Sequence, residues 1–118
     1  APVGKVGVIG FCLGGSLAWV AATRIEGICA ASSFYGGMVN KFANETPQCP
    51  TQLHYGGKDA SIPPENYLAV RDMRPEVDFF LYETAGHGFN CDQRSSYAPE
   101  AAALAWRRST ELFQSEVG

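Results

Sequence analysis

Three side chains able to do nucleophilic chemistry stand in glycine-rich surroundings: Cys12 in Gly10-Phe11-Cys12-Leu13-Gly14-Gly15, Asp59 after Gly56-Gly57-Lys58, and His87 between Gly86 and Gly88. Gly10-x-Cys12-x-Gly14 has the spacing of a nucleophile elbow with sulfur in place of hydroxyl. The central residue sits on a sharp turn, and its neighbours are small where strand and helix converge. A thiol just before a helix lies at the positive end of the helix dipole, which favours the thiolate. The same string also suits a tight strand-to-helix turn around a packed cysteine, since cysteine is among the most buried residue types. The remaining chemistry decides between the two.

His87 can take the Cys12 proton, or hold an ion pair with the thiolate, and return the proton to a leaving group. Asp59 can fix the imidazole tautomer and stabilise its positive charge. The backbone N–H of Leu13, the first after the nucleophile, points to where an oxyanion forms. Gly86 and Gly88 allow a tight histidine loop. Other roles are open: a histidine in a glycine-rich loop can be a solvated turn residue, and Gly-Gly-Lys-Asp can mark a turn with a helix-capping carboxylate. His54, within a strand, reads as packed or hydrogen-bonded.

These residues need elements that bring them together. The apolar run from Lys5 to Phe11 reads as a strand buried on both faces, and Leu13 to about Thr23 as a helix with Leu13, Leu17, Val20 and Ala21 at helical spacing. Ile28–Tyr35 is a second strand, with Cys29 as a core residue. Residues 38–50 form a loop with one short helical turn. Thr51–Gly56 is a third strand. Pro63-Pro64-Glu65 opens a helix to about Met73, because proline fits a first helical turn. Val77–Tyr82 is a fourth strand, and Pro99 to about Phe113 a final helix with Ala102, Ala105, Leu112 and Phe113 on its apolar face. Alternating strands and helices imply a parallel sheet, whose strand ends share one rim. Cys12, Asp59 and His87 each follow a strand, so all three belong to that rim.

The composition narrows the partners. The 118 residues carry a net charge of -3, and the nine basic residues are scattered, which gives no electrostatic case for nucleic acid or an anionic membrane. No apolar stretch approaches the roughly 20 residues of a membrane span, so a cytoplasmic protein is expected. The four cysteines, at 12, 29, 49 and 91, lack the paired close spacing of a zinc site, and reduced thiols are expected, with no metal. Cys49 and Cys91 read as loop spectators. The chain begins Ala1-Pro2-Val3 and enters a strand within a few residues, which reads as a fragment or a processed product.

The strings Gly10-Phe11-Cys12-Leu13-Gly14-Gly15, Tyr55-Gly56-Gly57-Lys58-Asp59 and Gly86-His87-Gly88-Phe89, with the helical tail, together resemble the dienelactone hydrolase family of α/β-hydrolases. The resemblance spans nearly the whole chain but only the C-terminal half of that family. It implies a single domain over residues 1–118 of the α/β-hydrolase type. The sheet would be largely parallel, flanked by helices and truncated at its N-terminal side, with about four strands and three to four helices. It also implies a Cys-His-Asp hydrolase of lactones or activated esters without metal or organic cofactor, in which Cys12 is acylated and water releases the acid. Such proteins are cytoplasmic and often monomeric.

The departures matter as well. The earlier strands, the loop giving a second oxyanion N–H and an N-terminal glutamate of the family are not in this sequence. Of the family's two carboxylate-binding arginines, the later one has Cys91 near its place, with Arg94 three residues on; Arg94 can hold a similar anion or be a solvated loop cation. Phe34, Tyr35 and Phe89 can line an apolar substrate pocket or belong to the core. A nucleophile strand without its neighbours leaves an unpaired edge, so self-association or a companion segment covering that edge is expected. A catalytically silent half-domain serving as an interaction or thiol-reactive module, and an acyltransferase, are the competing readings.

Overall fold

The computed structural model describes residues 5–89 and 98–118. The chain alternates β1 (Val6–Phe11), α1 (Leu13–Arg24), β2 (Ile28–Phe34), a 3-10 turn (Val39–Phe42), β3 (Thr51–Gly56), α2 (Pro64–Met73), β4 (Asp78–Tyr82) and α3 (Pro99–Glu116). Proline occupies the start of both α2 and α3, where its missing N–H costs nothing. The four strands form one parallel sheet in the order β1-β2-β3-β4, so each helical connection joins neighbouring strands. This is the parallel α/β sheet that the alternation of strands and helices implies.

Two adjacent serines of β2 show how the layers are arranged. Ser32 Oγ lies 2.7 Å from Ser109 Oγ of α3, whereas Ser33 Oγ donates to the Gly15 carbonyl of α1 at 2.7 Å. Successive strand residues face opposite sides, so α1 and α3 cover opposite faces. The stacking of Tyr67 of α2 on Tyr55 puts α2 on the α1 face, because Gln52 and His54, which flank Leu53 in β3, face α3. All six residues of β3 are buried. Trp19, fully buried, donates its indole N–H to Phe42 O at 2.9 Å and ties α1 to the 3-10 turn. A large apolar side chain buried this completely contributes about 1.5–3 kcal/mol.

The α3 face carries a closed polar ring. Arg108 Nη1 donates to Tyr82 Oη at 3.2 Å, and Tyr82 Oη lies 2.8 Å from His54 Nδ1. His54 Nε2 is 3.0 Å from Gln52 Oε1, and Gln52 Nε2 donates to Arg108 O at 3.0 Å. Because Gln52 Oε1 only accepts, the proton of the neutral imidazole sits on Nε2, and Nδ1 accepts from the Tyr82 hydroxyl. Burial, aided by the Arg108 charge, pushes His54 down to about 3 from 6.5. His54 is therefore packed and hydrogen-bonded, as its strand position suggests.

Two details correct the sequence reading. The helix α1 does not dock through Leu13 and Leu17, which are 64% and 59% exposed; it docks through Gly15, Ser16, Ala18, Trp19, Ala22 and Thr23. The close approach to β2 at Gly15 selects the face that carries Gly15, Ala18 and Trp19 instead of the leucine stripe. Cys29 is half-buried, not a core residue; it is the residue the register passes over, between Val6 opposite Ile28 and Gly7 opposite Ala30.

Candidate active site

Cys12 is the N-cap of α1, with φ +58° and ψ -123°, a left-handed conformation that a cysteine rarely adopts. Its N–H donates to Phe34 O at 3.1 Å, and its carbonyl accepts from the amides of Gly15 and Ser16. The side chain caps nothing, which leaves the thiol at the helix start for other chemistry. The turn needs glycine at two places. A Cβ on Gly10 would lie 1.9 Å from Gly14 O, and one on Gly15 would lie 2.4 Å from Phe34 O. Gly14 meets nothing within 4 Å, so the steric requirement expected there falls on Gly15.

Asp59 and His87 are joined by two loops in unusually close contact. A Cβ on Gly56 would meet Ala85 O at 2.4 Å, and one on Gly57 would meet Glu83 Cα at 2.7 Å. Their backbones are tied by Gly57 N–H to Tyr82 O at 2.8 Å and Lys58 N–H to Ala85 O at 2.9 Å. This brings His87 Nδ1 to 2.5 Å from Asp59 Oδ2. Gly88 turns the histidine loop with φ +73°; Gly86 takes no such conformation. The Asp59 side chain is 1% exposed and His87 27%, so the acid is sealed beneath an accessible imidazole. An ionised carboxylate only accepts, so Nδ1 carries the proton and Nε2 is the basic nitrogen.

Cys12 and His87 border one cavity of about 240 Å³, together with Leu13, Ser16, Tyr35, Gly37, Met38, Ser61 and Ile62. The first amide of α1, that of Leu13, has no acceptor within the helix, and Leu13 is among the residues bordering the cavity. Tyr35 also takes a positive φ, +41°, at a cost of order 1–3 kcal/mol. Its N–H donates to His54 O at 2.7 Å, and its ring meets His87 edge-on at 5.1 Å. Phe34 and Phe89 are fully buried and lie behind the cavity instead of lining it. Each packs on Tyr35, at 6.1 and 5.2 Å between ring centroids. Arg94 and Cys91 lie outside the described residues. Cys49, before β3, is at the opposite end of the sheet from the cavity, and burial pushes its thiol up.

Sequence reasoning misses Ser16, Met38, Ser61 and Ile62 as lining residues. Only Ser61 carries a local signal, an Asp-x-Ser spacing that suits an Asx turn. Among the described residues, no group of three or more His, Cys, Asp or Glu side chains is placed to hold a metal ion. Among these residues no helix is long and apolar enough to cross a membrane.

The family model described as the dienelactone hydrolase family matches residues 1–117. A carboxymethylenebutenolidase of Pseudomonas putida is 36% identical, over 93% of this chain and 48% of its own length. A Klebsiella pneumoniae crystal structure named "Putative Dienelactone Hydrolase" is 30% identical with a TM-score of 0.84, over 92% of this chain and 51% of that one. A Pyrococcus furiosus esterase, 16% identical with a TM-score of 0.76, shares the fold over 97% of this chain and 55% of its own. The chain thus spans about half the length of the curated relatives it matches. On the family model and these relatives together, the chain belongs to the dienelactone hydrolase family.

Proposed function

We propose that this chain carries the nucleophile, base and acid of a thiol hydrolase acting on small carboxylic esters or lactones. The observation that carries the reading is the shared cavity of Cys12 and His87, with His87 Nδ1 bonded to Asp59 on its far side. Family membership supports hydrolysis as the reaction class.

In this reading Cys12 Sγ, its proton taken by His87 Nε2, attacks the carbonyl carbon, and the Leu13 N–H receives the developing oxyanion. The C–O bond then breaks, the alkoxide takes the proton from the imidazolium, and a thioester remains on Cys12. In a lactone the released alcohol stays attached to the acyl group. Water, deprotonated by His87, attacks the thioester; the C–S bond breaks, the Cys12 sulfur takes the proton from the imidazolium, and the acid leaves. The net reaction is ester plus water giving acid plus alcohol. Asp59 holds the tautomer and stabilises the imidazolium in both halves. Tyr35 forms the apolar wall for the acyl group, and Phe34 and Phe89 hold it from behind.

The β1 edge belongs to the same proposal. Among the described residues β1 pairs only with β2, and Val6 on it is half exposed. Such an edge accepts a further strand, from a second copy of the chain or from a companion segment.

The test is turnover of phenyl acetate and a simple lactone by the chain and by Cys12→Ala and His87→Ala. Loss of turnover in both variants is expected, with circular dichroism unchanged. Full activity of Cys12→Ala would sink the reading. Acid release replaced by ester or amide product in the presence of added alcohols or amines would assign acyl transfer instead.

A further inference from the structure

Ser61 stands outside the three residues that carry the chemistry, yet it touches one of them twice. Its backbone N–H donates to Asp59 Oδ1 at 2.8 Å, and its hydroxyl donates to the same oxygen at 2.6 Å. The other carboxylate oxygen, Oδ2, is the one bonded to His87. Ser61 itself is exposed and borders the cavity that Cys12 and His87 share. The amide bond is an ordinary Asx-turn contact, available to any residue but proline. The hydroxyl bond is available only to serine or threonine, so it is specific to the side chain.

Resting on the proposed hydrolase reading, we propose that Ser61 is a positioning residue for the reaction: its hydroxyl fixes the Asp59 carboxylate so that Oδ2 faces His87 Nδ1. Two donors on Oδ1 stop the carboxylate from rotating about its Cβ–Cγ bond. They also take up part of its charge, which sets how strongly the carboxylate holds the imidazolium. Hydrogen bonds to charged groups are about twice as strong as neutral ones. Without the hydroxyl, Asp59 is freer to turn, and Oδ2 is held less firmly toward His87 Nδ1. Because Ser61 is exposed, replacing its hydroxyl opens no hole in the core and is expected to leave the fold alone.

The experiment compares the chain with Ser61→Ala and Ser61→Thr, with Cys12→Ala as control, by the rate of phenol release from an activated phenyl ester across pH 5 to 9. Ser61→Ala is expected to slow acylation roughly tenfold. It should leave KM and the thermal midpoint in place, and move the imidazole limb of the pH–rate profile. Ser61→Thr, which keeps the hydroxyl, is expected to restore both rate and profile. An unshifted profile in Ser61→Ala, with acylation at the parent rate, would overturn the proposal. So would a slow Ser61→Ala enzyme that threonine does not rescue. Phenol release surviving Cys12→Ala would count against the hydrolase reading itself, which keeps the two failures apart.

Discussion

His87 Nδ1 and Asp59 Oδ2 meet at 2.5 Å although 28 residues of chain separate them. The contact exists because Gly56 and Gly57 let the loop after β3 lie against the loop after β4, with main-chain atoms where side chains would otherwise be. Asp59→Asn keeps the shape but presents an amide that can favour the wrong tautomer. A fall in turnover of roughly 10²-fold or more is expected. Steady-state hydrolysis of a phenyl ester checks it, and near-parental turnover would remove Asp59 from the mechanism.

The elbow makes opposite predictions for two glycines of one motif. Gly10→Ala puts a methyl 1.9 Å from Gly14 O, against backbone that cannot move aside, and is expected to abolish the folded state or the thiol's placement. Gly14→Ala meets open space within α1. Its expected effect on stability is between neutral and about 1 kcal/mol of stabilisation, the usual gain of alanine over glycine in a helix. Thermal unfolding of the two variants checks the pair.

Much of this was legible in the sequence. Apolar runs alternating with helical spacing fix the element order, and glycine-flanked Cys12, Asp59 and His87 fall after strands, where a parallel sheet gathers its loops. Residue spacing alone could not say which face of α1 docks. Leu13 and Leu17 look like the apolar stripe, but backbone approach at Gly15 turns the helix so that Ser16 and Trp19 go inward. Nor does aromaticity separate Tyr35, at the cavity, from Phe34 and Phe89 behind it; the separation comes from strand alternation and the positive φ of Tyr35. Ser61 shows itself only once Asp59 is placed, because its role depends on the direction of a carboxylate.

His54 makes stability depend on pH. The native state keeps this imidazole neutral down to about pH 3, while the unfolded chain takes up the proton near 6.5. Between those values the unfolded state binds more protons, so stability falls as pH falls, by up to about 1.4 kcal/mol per pH unit from this group. The stabilising contribution is fully present above 6.5. His54→Gln is expected to be less stable near pH 7 but to lose less stability between pH 7 and pH 5. Urea midpoints at the two pH values measure the difference, and equal losses would contradict it.

The β1 edge predicts association. Light scattering of the purified chain is expected to give a mass above the 12.7 kDa of one copy, and Val6→Lys, which sets a charge on the edge, to lower it. A monomer with cooperative unfolding would contradict the expected pairing.

Intact-mass spectrometry after brief exposure to an activated phenyl ester tests the central claim most directly. The account predicts one acyl group, mapped to Cys12, appearing and decaying while phenol release continues, and absent from Cys12→Ala. Phenol release with no acyl mass on Cys12, or an acyl group on another residue, would contradict it.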